Sequence, residues 1–175
     1  MKQAAVGSAS NDGALTTEAV WELLDQVMDP EVPVLSVVEL GIVRDVVVDA
    51  GRVTVVITPT YSGCPAMQVI EQDIVSGLTA HGIDDVRLET AFSPAWTTDW
   101  MTGKAKAKLV AYGIAAPGLA ERGDRLVTLA RRGAVTCPYC GSAKTTLKSE
   151  FGSTACKSIH YCESCKQPFE GFKAI

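Results

Sequence analysis

Apolar residues recur at helical spacing in two stretches of the chain, and a third stretch ends at a glycine typical of a helix stop. Thr16 can cap the first helix, Pro65 precedes the second, and the third covers residues 98–112 before Gly113. These patterns predict three helices within residues 15–113. The apolar faces of the first two consist of Val20, Leu24, Val27, Met67, Ile70, Ile74 and Leu78.

β-Branched residues dominate two short stretches between the first two helices, residues 42–48 and 53–58. Asp49-Ala50-Gly51 supplies turn residues between them, so the two stretches predict a hairpin. Residues 86–92 alternate like a third strand. The order helix, strand, strand, helix, strand, helix predicts an α+β domain in which helices cover a small mixed sheet.

Changes in composition divide the chain into four segments. Residues 1–14 are rich in Ala, Ser and Gly and are predicted to be disordered, whereas residues 15–113 hold the predicted α+β domain. Glycine and proline punctuate residues 114–133, which predicts a linker. Residues 134–175 contain five of the six cysteines and are predicted to form a separate metal-held module, a zinc ribbon.

Charge and hydropathy exclude several classes of partner. The chain has 175 residues, with 20 Asp and Glu against 16 Lys and Arg, so it should repel nucleic acid and anionic membranes. It contains neither an apolar run of roughly 20 residues that would span a bilayer nor an apolar secretory signal. A cytoplasmic location is therefore expected, where cysteines serve as ligands or reactive thiols more often than as disulfides.

Two Cys-x2-Cys pairs form the most specific motif of the sequence. Cys137 and Cys140 form one pair, Cys162 and Cys165 the other, and 21 residues separate the two pairs. Within each pair, a tight turn lets both sulfurs face one ion, and Gly141 follows the first pair where a positive φ is useful. The spacing predicts a structural zinc site, with a single iron or an iron–sulfur cluster as the alternatives.

Cys64 is the one cysteine outside the ribbon segment. It directly precedes Pro65, so its sulfur is predicted to lie at a helix N-terminus, where a thiol could attack an electrophile or bind a soft metal. A small buried residue is the alternative. The histidines are His81 and His160, and helix rise places His81 about 25 Å away. A cysteine–histidine enzyme is therefore not expected.

Three further features allow more than one interpretation. Cys156 could replace a ribbon ligand, remain a free thiol beside Lys157, or be a plain buried residue, which is the simplest of the three. His160 precedes the second cysteine pair and is a candidate fifth ligand. Asp29-Pro30-Glu31 either ends the first helix or offers carboxylates as hard ligands or as a cap for a neighbouring segment.

These motifs together resemble a known family. Asp29-Pro30-Glu31 and the stretch Thr58-Pro59-Thr60-Tyr61-Ser62-Gly63-Cys64-Pro65 resemble the metal–sulfur cluster assembly domain of SufT-related proteins. The Cys137 pair with Gly141-Ser142, the stretch 149–157 and the Cys162 pair resemble the PaaD or PaaJ family, the D component of phenylacetyl-CoA epoxidase. Family tails often end Phe-Lys-Cys-Ile, whereas this chain has Ala174, so no ligand role belongs to that position.

The resemblance implies an accessory function in phenylacetate catabolism. Such a protein supports maturation of the iron or iron–sulfur centres in the oxygenase or reductase component of the epoxidase and is not itself an enzyme. Cys64 would then be the candidate contact for transient iron or an iron–sulfur cluster, with one thiolate from each chain of a homodimer as one arrangement. The alternative is a scaffold component that carries only structural zinc.

Overall fold

The computed structural model describes residues 15–61, 63–118 and 135–175. The predicted disordered segment, 1–14, and most of the predicted linker, 114–133, lie outside these ranges. None of the helices within them is long and apolar enough to cross a membrane. The described elements are the helices α1 (Thr17–Leu24), α2 (Ala66–Thr79) and α3 (Gly103–Tyr112), the strands β1 (Val43–Asp49), β2 (Arg52–Ile57), β3 (Val86–Thr90), β4 (Ile114–Ala115), β5 (Thr145–Ser149), β6 (Lys157–Cys162) and β7 (Pro168–Phe172), and a 3-10 turn at Thr98–Trp100.

The first sheet contains three strands in the order β1-β2-β3. Strands β1 and β2 pair antiparallel and form the predicted hairpin, while β3 adds to β2 in parallel. Ala50 and Gly51 both have positive φ, 47° and 87°, which is the backbone twist that a two-residue hairpin turn requires. The sheet is therefore mixed, as the sequence predicts.

Helices α1 and α2 pack on each other, with α1 against β1 and α2 against β3, and their apolar faces point into the core. The Thr16 hydroxyl caps α1 by accepting a hydrogen bond from the Ala19 N–H at 3.2 Å. The residues predicted to form these faces are buried except for Met67, which is partly buried, but Val27 lies beyond α1, which ends earlier than predicted at Leu24. The α+β prediction for the first domain is thus confirmed.

The third helix is shorter than the predicted range of 98–112. A 3-10 turn occupies Thr98–Trp100, Met101 is extended, and α3 begins at Gly103. Thr102 causes this late start, because its hydroxyl accepts a hydrogen bond from the Ala105 N–H at 3.1 Å. The helix ends as predicted at Gly113, which has a φ of 92°.

The second sheet has four strands in the order β4-β7-β6-β5. Strands β5, β6 and β7 pair antiparallel within the ribbon segment, whereas β4 pairs in parallel with β7. Ile114 and Ala115, at the start of the predicted linker, therefore belong to the ribbon sheet. Both residues are buried, and this burial explains why a short segment so far along the chain from β7 pairs with it.

The ribbon module packs directly on the α+β domain. The ring of Phe172 lies against Trp96 with centroids 6.4 Å apart. The carbonyl oxygen of Ile175 accepts hydrogen bonds from the Thr97 hydroxyl at 2.7 Å and the Thr98 N–H at 3.1 Å. Phe172 belongs to the core of the first domain, so the two modules share part of one hydrophobic core.

We expect Phe172→Ala to destabilise the protein by about 3–5 kcal/mol, because it removes a buried aromatic ring from the shared core. Phe92→Ala is the matched control, since Phe92 is 69% exposed whereas Phe172 is 5% exposed. The control should change stability by less than about 0.5 kcal/mol. Urea unfolding followed by tryptophan fluorescence measures both, and equal effects of the two substitutions would show that the shared core contributes little.

Candidate metal centre and the cavity at Cys64

The first cysteine pair forms a compact turn just before β5. The N–H of Gly141 donates to the carbonyl oxygen of Cys137 at 2.9 Å, and the N–H of Cys137 donates to the Ser142 carbonyl at the same distance. Gly141 has a φ of 71°, the left-handed conformation that its position predicts. These hydrogen bonds fix the turn so that Cys137 and Cys140 face the same side.

The second pair repeats this turn between β6 and β7. Lys166 N–H donates to the Cys162 carbonyl at 2.9 Å, and Cys162 N–H donates to the Gln167 carbonyl at 3.0 Å. Lys166 occupies the position equivalent to Gly141 and has a φ of 62°, which a side chain with a Cβ rarely adopts. The same backbone geometry therefore forms in both pairs, although only one has the glycine that predicts it.

The two turns bring four sulfurs together at the edge of the second sheet. The Sγ atoms of Cys137, Cys140, Cys162 and Cys165 all lie within 4.8 Å of one another. Cys137 Sγ lies 3.7 Å from Cys165 Sγ, and Cys140 Sγ lies 3.5 Å from Cys162 Sγ. A tetrahedron with metal–sulfur bonds of about 2.3 Å has edges of about 3.8 Å. The arrangement thus fits one tetrahedral ion.

Backbone groups of the second turn already favour a thiolate at this site. The N–H of Cys165 donates to Cys162 Sγ at 3.5 Å, and with the N–H of Ser164 it lowers the pKa of Cys162 to about 6. Burial raises the pKa of Cys165 to about 12. A dication at the centre would reverse that cost, because its charge stabilises every thiolate around it.

His160 and Cys156 do not belong to this set. The His160 ring is buried, stacks on Phe169 at 5.4 Å, and lies 2.9 Å from the Ser158 hydroxyl through Nε2. The candidate fifth ligand is therefore a core residue of the ribbon. Cys156 is also buried, but it packs into the core of the first domain. Of the three interpretations open for Cys156, the structure thus agrees with a buried residue and not with a replacement ribbon ligand.

Cys64 lies in the loop that joins β2 to α2. Its N–H donates to the Tyr61 carbonyl at 3.3 Å, and its carbonyl oxygen accepts from the Met67 N–H at 3.2 Å in the first turn of α2. The residue is half-buried. Its side chain lines a small cavity between the α+β domain and the ribbon, with room for about one water-sized sphere. The position before the helix matches the prediction.

Asp29 and Glu31 of the Asp29-Pro30-Glu31 motif line the same cavity. Asp29 Oδ1 accepts hydrogen bonds from the N–H groups of Glu31 and Val32 at 2.8 and 2.7 Å, so Asp29 caps this turn. Burial raises the pKa of Asp29. Of the interpretations open at this motif, capping describes Asp29, while Glu31 directs its carboxylate towards the cavity.

The cavity also contains a second thiol. Cys156 lines it together with Cys64, and its Sγ lies 3.5 Å from Glu31 Oε2. Burial, together with the neighbouring Glu31 carboxylate, raises the pKa of Cys156 to about 11. Burial, together with the neighbouring Cys64 and Glu31 groups, raises the pKa of Tyr61 to about 12. Thiol, phenol and carboxyl groups from both modules thus lie close together at this cavity.

The sequence marks Cys64, Glu31 and Cys156 as candidates one by one, but it does not predict that they line one cavity. The three residues lie on separate loops, and 92 positions separate Cys64 from Cys156. Tyr61 carries no motif signal beyond its place near Cys64. One signal is present: Cys156 does not fit the Cys-x2-Cys pattern of the ribbon, which leaves its thiol without an assigned partner.

Two family models match consecutive parts of the chain. Residues 17–87 match a family described as iron-sulfur cluster assembly protein. Residues 121–173 match the PaaD zinc beta ribbon domain. The first match covers the α+β domain from α1 to the start of β3, the second covers nearly all of the ribbon, and together they include all the cavity and ribbon cysteines.

Relatives show the same division. A protein of Escherichia coli (strain K12), provisionally named as the D component of 1,2-phenylacetyl-CoA epoxidase, is 44% identical over 156 residues, covering 89% of this chain and 92% of that protein. A Porphyromonas gingivalis (strain ATCC BAA-308 / W83) protein named Fe-S protein maturation auxiliary factor is 35% identical over 102 residues, 57% of this chain and 96% of that protein.

A solved structure supports the fold of the first domain. The DUF59 domain of Bacillus anthracis, named as a domain of unknown function, superposes with a TM-score of 0.50 at 27% identity. It covers 53% of this chain and 90% of the solved chain. Since the E. coli relative extends through both modules, the chain belongs to the PaaD family, the D components of phenylacetyl-CoA epoxidase.

Proposed function

We propose that this chain is a non-catalytic accessory factor that helps to mature the iron or iron–sulfur centres of a phenylacetyl-CoA epoxidase. The observation that carries this proposal is the lining of the cavity at Cys64. Its polar lining consists of thiols, carboxylates and a threonine, with no histidine among the described residues. Thiolates and carboxylates are ligands for iron, whereas the imidazole that most often activates a cysteine nucleophile is missing from the part of this lining that the structure describes.

The names of the relatives agree with this proposal. A maturation factor covers the first domain, and an epoxidase component covers both modules. We infer that the first domain handles iron cargo at Cys64 and that the ribbon adapts this activity to the epoxidase as client. The client is the oxygenase or the reductase component.

The four-cysteine centre takes a different role in this proposal. Its sulfurs sit at tetrahedral spacing and leave no position for an exchanging ligand, so we assign it a resident structural zinc. Cys137, Cys140, Cys162 and Cys165 would hold the ion. The small buried cluster of the ribbon consists of Ala115, Phe169 and two of these cysteines, so the ion contributes much of the module's stability.

Removing the zinc should unfold the ribbon and lower the stability of the first domain, whose core then loses Phe172 and Cys156. Wild-type protein should contain one zinc per chain, and Cys137→Ser should lose it, because three thiolates bind the ion far less tightly than four. Elemental analysis measures the zinc content. The amide NMR signals of β5–β7, compared with those of α2, show whether the ribbon has unfolded. Iron as the purified metal, or an intact ribbon without any metal, would contradict the assignment.

Replacing the Cys64 thiol should abolish maturation. Cys64→Ser, expressed with the epoxidase in cells lacking the endogenous factor, should reduce client iron content and epoxidase activity at least tenfold, because a serine hydroxyl is a poor iron ligand. Met67→Leu is the matched control, since Met67 lines the same cavity and the change conserves apolar volume.

Zinc content and thermal unfolding should be the same in wild type, Cys64→Ser and Met67→Leu. Full client activity with Cys64→Ser would overturn the carrier function and favour a scaffold with structural zinc alone. Loss of client activity with both variants would instead point to the packing around the cavity.

A further inference from the structure

We propose that Cys156 of the ribbon completes the cargo site at Cys64, so that one chain binds iron between its two modules through two thiolates and the Glu31 carboxylate. This inference rests on the proposed function, because it concerns the same cargo. In this arrangement the second thiolate comes from Cys156 of the same chain and not from Cys64 of a second protomer. The cargo is a ferrous ion or a small iron–sulfur cluster, as the mixed thiolate and carboxylate ligands indicate.

The geometry places the three candidate ligands around one space. Cys64 and Glu31 come from loops of the α+β domain, while Cys156 comes from the ribbon, and all three line the cavity described above. Cys156 Sγ lies 3.5 Å from Glu31 Oε2 and 3.1 Å from the Thr154 hydroxyl. A cysteine that served only as a small core residue would not need a carboxylate beside its sulfur.

The ribbon holds Cys156 firmly against the first domain. The carbonyl oxygen of Cys156 accepts a hydrogen bond from the Lys173 N–H at 3.0 Å, which ties it to the residue after β7. The neighbouring Lys157 side chain is buried and donates to the Glu31 carbonyl oxygen at 3.2 Å. The Lys157 ammonium also lies 3.5 Å from Glu170 Oε2, so it links Glu31 to the ribbon. These contacts fix the backbone of Cys156 and of Glu31, and so hold the thiol beside the carboxylate.

Ionisable groups, most of them acids, surround this cavity. Two thiols, the phenol of Tyr61 and the carboxyl groups of Asp29 and Glu31 lie in or beside it, and the Lys157 ammonium lies close to Asp29 and Cys156. Burial raises the pKa values of Cys156 and Tyr61. A ferrous ion would displace thiol protons and offset the carboxylate charge, so binding should release up to about two protons per ion.

The small size of the cavity determines which groups must move when iron binds. The three ligand atoms are not all within 4.8 Å of one another, although the space itself admits about one water-sized sphere. A single ion therefore requires rotation of the half-buried Cys64 side chain, and a cluster requires the two modules to separate slightly. Three protein ligands leave a coordination position open, which suits a cargo that must be handed on.

The test uses the full-length, zinc-loaded protein under anaerobic conditions. Ferrous ion alone, and ferrous ion with sulfide, are titrated into wild type, Cys64→Ser, Cys156→Ser and the double variant. Each single variant should weaken iron binding at least tenfold and reduce thiolate-to-iron absorption. The double variant should be little worse than either single variant, because both thiols act on one centre. Iron should protect both thiols of the wild type from alkylation.

Thr154→Ala is the control, because it removes the hydroxyl beside Cys156 Sγ but keeps the thiol. It should bind iron within about twofold of wild type, and all variants should retain their zinc. Iron binding by Cys156→Ser equal to wild type, with loss in Cys64→Ser, would overturn this inference and leave the proposed function intact. One centre shared by two chains would overturn it as well. Failure of wild type to bind iron, or full binding by Cys64→Ser, would overturn the proposed function itself.

Discussion

The ribbon module cannot stabilise itself with apolar side chains, and much of the structure follows from this constraint. Its own buried cluster is small, and Cys137 and Cys162 belong to it. Two sources of stability remain: an ion between the four sulfurs, and contact with the neighbouring domain. Contact with the neighbouring domain is visible in the structure, because Phe172 and Cys156 lie in the core of the α+β domain. Its fold and its docking are therefore parts of one stabilising arrangement.

That docking has a chemical consequence. Because the ribbon must bury the segment around Cys156 against the first domain, it brings a thiol to the loops that carry Glu31 and Cys64. The buried ammonium of Lys157 satisfies backbone and carboxylate oxygens on both sides of the contact. The same interface that completes the hydrophobic core therefore assembles polar groups that neither module holds alone.

The sequence predicts local features well, but it predicts contacts between residues far apart in the chain poorly. Alternation and turn residues predict the β1–β2 hairpin, and the paired cysteines predict the metal-site geometry, because each pattern acts over a few residues. The predicted start of α3 is too early, since Thr102 is as good a cap as any residue upstream. Pairing of Ile114 with β7 and the approach of Cys156 to Glu31 depend on how the modules pack, which no short pattern encodes.

Under the proposed function, the two thiol sites differ in the way that their roles require. In the ribbon, backbone N–H groups approach the sulfur of Cys162, and four sulfurs enclose the ion position at tetrahedral spacing. Such a cage binds tightly and exchanges slowly. At the cavity, Cys64 is half-buried and its neighbours are carboxylates and a protonated thiol, so a bound cation must first displace protons. That cost weakens binding, and weaker binding is what distinguishes a site that passes metal on from one that keeps it.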